Sequence, residues 1–123
     1  MSVERLPNIG VSTHDLDCGF SLLRLSGYLD IRTAPRLHKA LLALHDDGRY
    51  RLALNVDGVR FMDSAGLGVL VETRQRVRAQ QGRMLLVCRC HRWRRLFTIT
   101  GLMRMFEVFE DEGTLSRRLG SIA

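Results

Sequence analysis

The spacing of apolar residues switches along the chain between a two-residue and a three-to-four-residue period, and Gly or Asp stands at most of the switches. FSLLRLSGYL, residues 20–29, is short and leucine-rich and reads as a strand ending near Gly27 or soon after. Residues 8–16 before it form a weaker strand candidate. Leu37, Ala40, Leu41 and Leu44 then fall at i, i+3, i+4 and i+7, one buried stripe of a helix. Thr33 is placed to cap that helix, Pro35 fits its first turn and Gly48 ends it. Leu52, Leu54 and Val56 alternate with Ala53, Asn55 and Asp57 in a further strand, closed by a tight turn at Gly58. A second helix is expected from about Ser64 to Gln81, with Gly82 beyond its end. MLLVC, residues 84–88, is too short for a helix and continuously apolar, as a central strand buried on both faces would be. Trp93, Leu96, Phe97 and Thr100 return to helical spacing until Gly101. MFEVF, residues 105–109, reads as the last strand, and Leu115, Leu119 and Ile122 as a short terminal helix. The order β-β-α-β-α-β-α-β-α predicts the α/β class, with parallel strands, right-handed crossovers and an antiparallel opening pair.

Length and composition narrow the class without changing it. At 123 residues, with 46% hydrophobic and 26% charged residues, the chain is expected to be one domain over 1–123 with an ordinary globular balance. No apolar run approaches the roughly 18 residues of a membrane span, and MSVERLPNIG has no apolar signal-peptide core. Three cysteines, an odd number, make no disulfide framework; Cys18, Cys88 and Cys90 read as reduced thiols. A soluble cytoplasmic protein away from membranes is the expectation. The net charge is +6, and Arg supplies all the basic residues except Lys39. Arg74, Arg76, Arg78, Arg83, Arg89, Arg92, Arg94 and Arg95 follow Glu72 with no acid between them. A nucleic-acid surface would interleave such arginines with exposed aromatics, but Trp93 and Phe97 fall on the apolar helical stripe. A solvated face is expected, with an anionic partner as the alternative, and no direct nucleic-acid contact.

The chemistry concentrates in FMDSAGLGVLV, residues 61–71. Ser64 stands where a strand gives way to a helix, the favoured place for an N-cap serine. Gly66 and Gly68 fall in the first helical turn, where each costs about 0.5–1 kcal/mol relative to Ala, so another group is expected to approach closely. Apolar side chains at Leu67, Val69, Leu70 and Val71 cover more of the circumference than one stripe needs. Leu67 is therefore expected to face solvent or a partner. Free N–H groups and the positive end of the helix dipole should converge on Ser64 and favour a phosphate there. Asp63 opposes it, because a phosphoserine brings about −1.5 to −2 charge beside a carboxylate. Modification would thus change the local field sharply, as a switch requires.

Two enzymatic readings are weaker. A hydrolase serine would want G-x-S-x-G, but residue 62 is Met, and His14, His38, His45 and His91 would have to supply a base. His38 and His45 lie seven residues apart on one expected helix and read as surface histidines. Cys88, Cys90 and His91 suggest a metal site, yet His91 would point away from the two cysteines and no second ligand pair follows. No catalytic residue, metal or cofactor is expected.

GYLD (27–30), LALNVDG (52–58), FMDSAGLG (61–68) and RRLFTITGL (94–102) come in order with short spacers. Together they resemble the STAS domain of bacterial anti-sigma factor antagonists, from about Val11 to the end of the chain. The resemblance implies a mixed, mostly parallel sheet with helices packed mainly on one side. It implies that Ser64 is a phosphoacceptor for a partner anti-sigma factor that is also an ATP-dependent serine kinase. A PP2C-type phosphatase would reverse the modification. The unmodified form would bind the anti-sigma factor and free the sigma factor, and phosphorylation would block binding. Asp30 would lie near Ser64 and help contact the kinase, with Asp63, Gly66 and Leu67 in the docking surface. Tyr28 stands where the family usually has Glu or another polar residue, and Ala65 where many members have a second hydroxyl. A phosphorylation-independent STAS adaptor or scaffold is the alternative; the stand-alone size and the Asp63–Ser64 pair favour the antagonist.

Overall fold

A computed structural model describes residues 8–120. Its first strand, β1 (Ile9–Asp15), pairs antiparallel with β2 (Ser21–Leu29), and every later pairing is parallel. Helix α1 (Ala34–Asp46) leads to β3 (Arg51–Met62), and α2 (Ser64–Ala79) to β4 (Arg83–Val87). Then follow α3 (His91–Thr100), the single turn α4 (Leu102–Met105), β5 (Glu107–Phe109) and α5 (Glu112–Gly120). The strands lie in the order β1-β2-β3-β4-β5.

Alternation along the strands makes two cores. Leu23, Leu25, Leu52, Leu54, Val56, Met84 and Leu86 face one way, and α1 to α4 cover them with Leu37, Leu41, Leu70, Val77, Trp93 and Phe97. Leu22, Ala53, Leu85, Val87 and Phe109 face the other way, under Leu115 and Leu119 of α5 and beside Phe20. Most helices therefore sit on one side, as expected. Burial at roughly 1.5–3 kcal/mol per large apolar side chain makes the first face the main source of stability. On the second face α5 is pinned by Glu112, which accepts from Arg24 at 2.7 and 2.9 Å and from Asn55 at 2.6 Å. The Arg24 hydrogen bonds hold its carboxyl below the ordinary glutamate value.

Four local expectations are corrected. Gly58 is not a turn: β3 runs through it to Met62. A Cβ at Gly58 would lie 2.7 Å from the Leu25 carbonyl oxygen, so this glycine permits close pairing where the β2–β3 register shifts. Met105 belongs to α4, closed by Phe106 N–H on the Leu102 carbonyl at 3.0 Å, and β5 starts at Glu107. Thr33 does not cap α1 with its side chain. Its hydroxyl donates instead to the Tyr28 carbonyl at 2.5 Å, while Asp30 Oδ1 accepts from Arg32 and Thr33 N–H at 2.9 and 3.1 Å. His38 and His45 are half-buried rather than surface groups; the His45 ring lies 4.8 Å from that of Tyr50. Ile122 lies outside the described residues. Among those described, no helix is long and apolar enough to cross a membrane.

Candidate functional site

Parallel pairing brings Leu29 of β2 opposite Met62 of β3, so the next residues, Asp30 and Asp63, leave the sheet side by side. Asp63 ties the two exits together. Its N–H donates to the Leu29 carbonyl at 3.2 Å, and its Oδ2 accepts from Ile31 N–H at 3.3 Å. Oδ1 accepts from the N–H groups of Ala65 at 2.9 Å and Gly66 at 3.3 Å, and the Asp63 carbonyl from Leu67 N–H at 3.0 Å. The N-cap of α2 is therefore Asp63, and Ser64 is the first helical residue, a correction to the expected serine cap. Extended backbone at Asp63 lets one carboxylate reach two helical donors, which a serine hydroxyl does less well. In consequence the N–H groups of residues 65–67 are already taken, and Ser64 is left exposed.

The two glycines of the first turn separate. Gly66 is buried, and a Cβ there would lie 2.5 Å from Leu29 Cγ and 2.8 Å from the Leu29 carbonyl oxygen. Gly68 is exposed with nothing within 4 Å of that position, so the close approach expected at both occurs at Gly66 alone. Leu67 is half-buried against the main core, with part of its side chain at the surface. On the flank of α2 that faces α1, an apolar hollow of about 300 Å³ opens, lined by Ile31, Ala34, Pro35, His38, Ala65 and Val69. Ile31, at its edge, is 74% exposed. Around the strand ends from the hollow, Tyr28 and Phe61 are cross-strand partners, 39% and 46% exposed, with ring centroids 6.5 Å apart.

All five expected residues, Asp30, Asp63, Ser64, Gly66 and Leu67, thus lie at the β2 and β3 exits and the first turn of α2. Ile31, Phe61 and the hollow were missed. The available signal was that Tyr28 and Phe61 each precede a core residue, Leu29 and Met62, and so must point to the opposite face. Among the described residues no histidine hydrogen-bonds to Ser64, and no three His, Cys, Asp or Glu side chains come together as a metal cluster would. Cys88 is buried, and burial pushes its thiol up to about 11. Cys90 is the N-cap of α3.

The STAS-domain profile matches residues 11–115. The chain is 34% identical over 107 residues to an anti-sigma-B factor antagonist of Staphylococcus epidermidis, covering 87% of this chain and 94% of that protein. The namesake of Staphylococcus aureus matches to the same extent. A crystal structure of an anti-sigma factor antagonist from Mycobacterium paratuberculosis superposes with a TM-score of 0.78 at 30% identity, over 89% of this chain and 92% of that one. The phosphorylated form of the Bacillus cell fate determinant SpoIIAA shares the fold, with a TM-score of 0.69 at 21% identity over 88% and 98%. The chain belongs to the STAS-domain family.

Proposed function

We propose that this protein is an anti-sigma factor antagonist whose partner docks on the exposed first turn of α2 and is released by phosphorylation of Ser64. Relatives named anti-sigma factor antagonists match over nearly the whole chain, which supports the role. The observation that carries the switch is the exposed Ser64 on a first turn whose donors Asp63 already occupies. A phosphate at Ser64 would find no free N–H at residues 65–67 to draw it inward. It would stand outward in the docking face, about −1.5 to −2 charges beside the Asp63 carboxylate. The unmodified face offers the reverse: a small hydroxyl with the half-buried Leu67 one turn on, and Ile31 with the apolar hollow on the flank toward α1. Asp30, held by its own turn next to Asp63, adds an acidic rim that a kinase could contact.

The partner in this reading is an anti-sigma factor that is also a serine kinase using ATP, and a PP2C-type phosphatase restores the binding form. The test is intact-mass spectrometry with site mapping after incubation with ATP and each anti-sigma kinase of the same organism. One added phosphate, confined to Ser64 and absent from Ser64→Ala, is expected. Stable binding without modification by any of them would overturn the switch and leave a phosphorylation-independent adaptor.

A further inference from the structure

The arginines between positions 74 and 95 do not act as one face. Arg76 pairs with Glu72 at 2.8 Å and Arg89 with Asp111 at 3.1 Å, while Arg94 donates to the Cys88 carbonyl at 2.8 Å. Arg74 and Arg78 are different. They stand at i and i+4 on one face of α2, a like-charge spacing that disfavours the helix. Neither has an acidic partner among the described residues; Arg74 only lies over the Phe106 ring, 5.8 Å from its centroid. Together with Arg83 they line a hollow of about 370 Å³ between the last turns of α2, the start of β4, and Met105 and Glu107. Glu107, ion-paired with Arg83, is the one carboxylate in that wall.

The loop that carries this wall is fixed in place. Gln81 is left-handed with φ of 56°, and Gly82 donates to the Val77 carbonyl at 2.7 Å. A Cβ on Gly82 would strike the Tyr50 carbonyl oxygen and come within 2.8 Å of the Val77 carbonyl oxygen. Arg83 N–H in turn donates to the Tyr50 carbonyl at 2.8 Å. Arg83 is thereby brought to α2 by a connection with little freedom to shift.

We propose that this hollow binds a compact multivalent oxyanion, a condensed phosphate carried free or on a small molecule. Three guanidiniums face one carboxylate, and the excess positive charge suits a ligand with at least two negative charges. Each guanidinium is a planar fork that matches phosphate oxygens two at a time. The C-terminal end of α2 opposes an anion, but only with about half a charge, which the two helical arginines outweigh. The volume falls in the lower part of the usual range for small-molecule sites, roughly 300–1,000 Å³. At 1.5 Å per residue Arg78 stands about 20 Å along α2 from Ser64, so this site does not depend on the phosphoserine reading.

The test titrates sodium pyrophosphate, and separately ATP, into the full-length protein, followed by calorimetry and amide chemical shifts. Saturable binding with shifts at Gln81, Gly82 and Arg83 is expected. Arg78→Gln should weaken it about tenfold, roughly 1.4 kcal/mol, and Arg74→Gln with Arg78→Gln should abolish it. Arg95→Gln, exposed on α3 and outside the wall, should bind as wild type, and circular dichroism confirms that each variant folds. Pyrophosphate binding as tightly as ATP identifies the phosphate chain alone as the ligand; a large advantage for ATP identifies a carrier molecule. No saturation by either probe up to about 5 mM, a concentration that would reveal even millimolar affinity, overturns the site. So does unchanged affinity in the double variant, or shifts confined to another surface.

Discussion

The two ends of α2 solve opposite problems with similar means. Each meets the sheet through a glycine that a side chain would displace, Gly66 against Leu29 and Gly82 against Tyr50. Their surfaces then diverge. The N-terminal end has its helix donors satisfied by Asp63 and presents a hydroxyl, an apolar hollow and the carboxylates of Asp30 and Asp63. The C-terminal end gathers Arg74, Arg78 and Arg83 around a single carboxylate. Backbone fit sets where both ends sit, whereas side-chain charge sets what each can receive. A macromolecular partner suits the first, since shape and apolar area favour docking there. A small anion suits the second.

The comparison can be broken most forcibly at the glycines. Gly66→Ala forces a Cβ onto Leu29 and should cost about 2–3 kcal/mol, lowering Tm by roughly 8–12 °C in thermal melts. Gly82→Ala should cost as much, because the atoms it meets are backbone. A loss below about 0.5 kcal/mol at either glycine would show that the helix end can slide and that its position is not set by close approach. Next comes the cap. Asp63→Ala frees the N–H groups of Ala65, Gly66 and Ile31 and should cost about 1–2 kcal/mol by denaturant titration. Asp63→Asn, still an acceptor, should retain most of that. Gly68→Ala sharpens the contrast within one helical turn: with open space around it, the substitution should stabilise by about 0.5–1 kcal/mol.

A smaller effect serves as the control away from both ends. Glu112 anchors α5 on the opposite sheet face, and its carboxyl is held below the ordinary value by hydrogen bonds from Arg24. A carboxyl depressed in the folded state contributes stability above its unfolded value, near 4.5, that is lost as pH falls through the folded value. Stability measured below pH 5 should therefore fall less steeply in Glu112→Gln than in wild type. Equal slopes would remove Glu112 from the anchoring of α5.

Much of this was legible in the spacing of apolar residues. Leu37, Leu41 and Leu44 announced α1, and Leu52, Leu54 and Val56 announced the core face of β3. Positive φ at Gly101 ends α3 where helical spacing stopped. The signal failed where backbone geometry overrode periodicity. After Val56 the alternation breaks at Asp57 and Gly58, yet the strand continues because a shift of register against β2 absorbs the break. Asp63 and Ser64 are both good caps by type; only the reach of one carboxylate to two N–H groups separates them. The arginine cluster was visible as a run of charge. Its division into residues paired elsewhere and the trio of Arg74, Arg78 and Arg83, of which only Arg83 has an acidic partner, depends on which strand follows α2 and on where Glu107 lands.

Affinity of the cognate anti-sigma factor for the unmodified protein and for the protein phosphorylated at Ser64, measured by calorimetry, tests the account most directly. The account predicts firm binding of the unmodified form and a loss of at least about a hundredfold, roughly 2.7 kcal/mol, on phosphorylation. Equal affinities for the two forms would contradict it, and Ser64 would then be an exposed first-turn serine with no part in release.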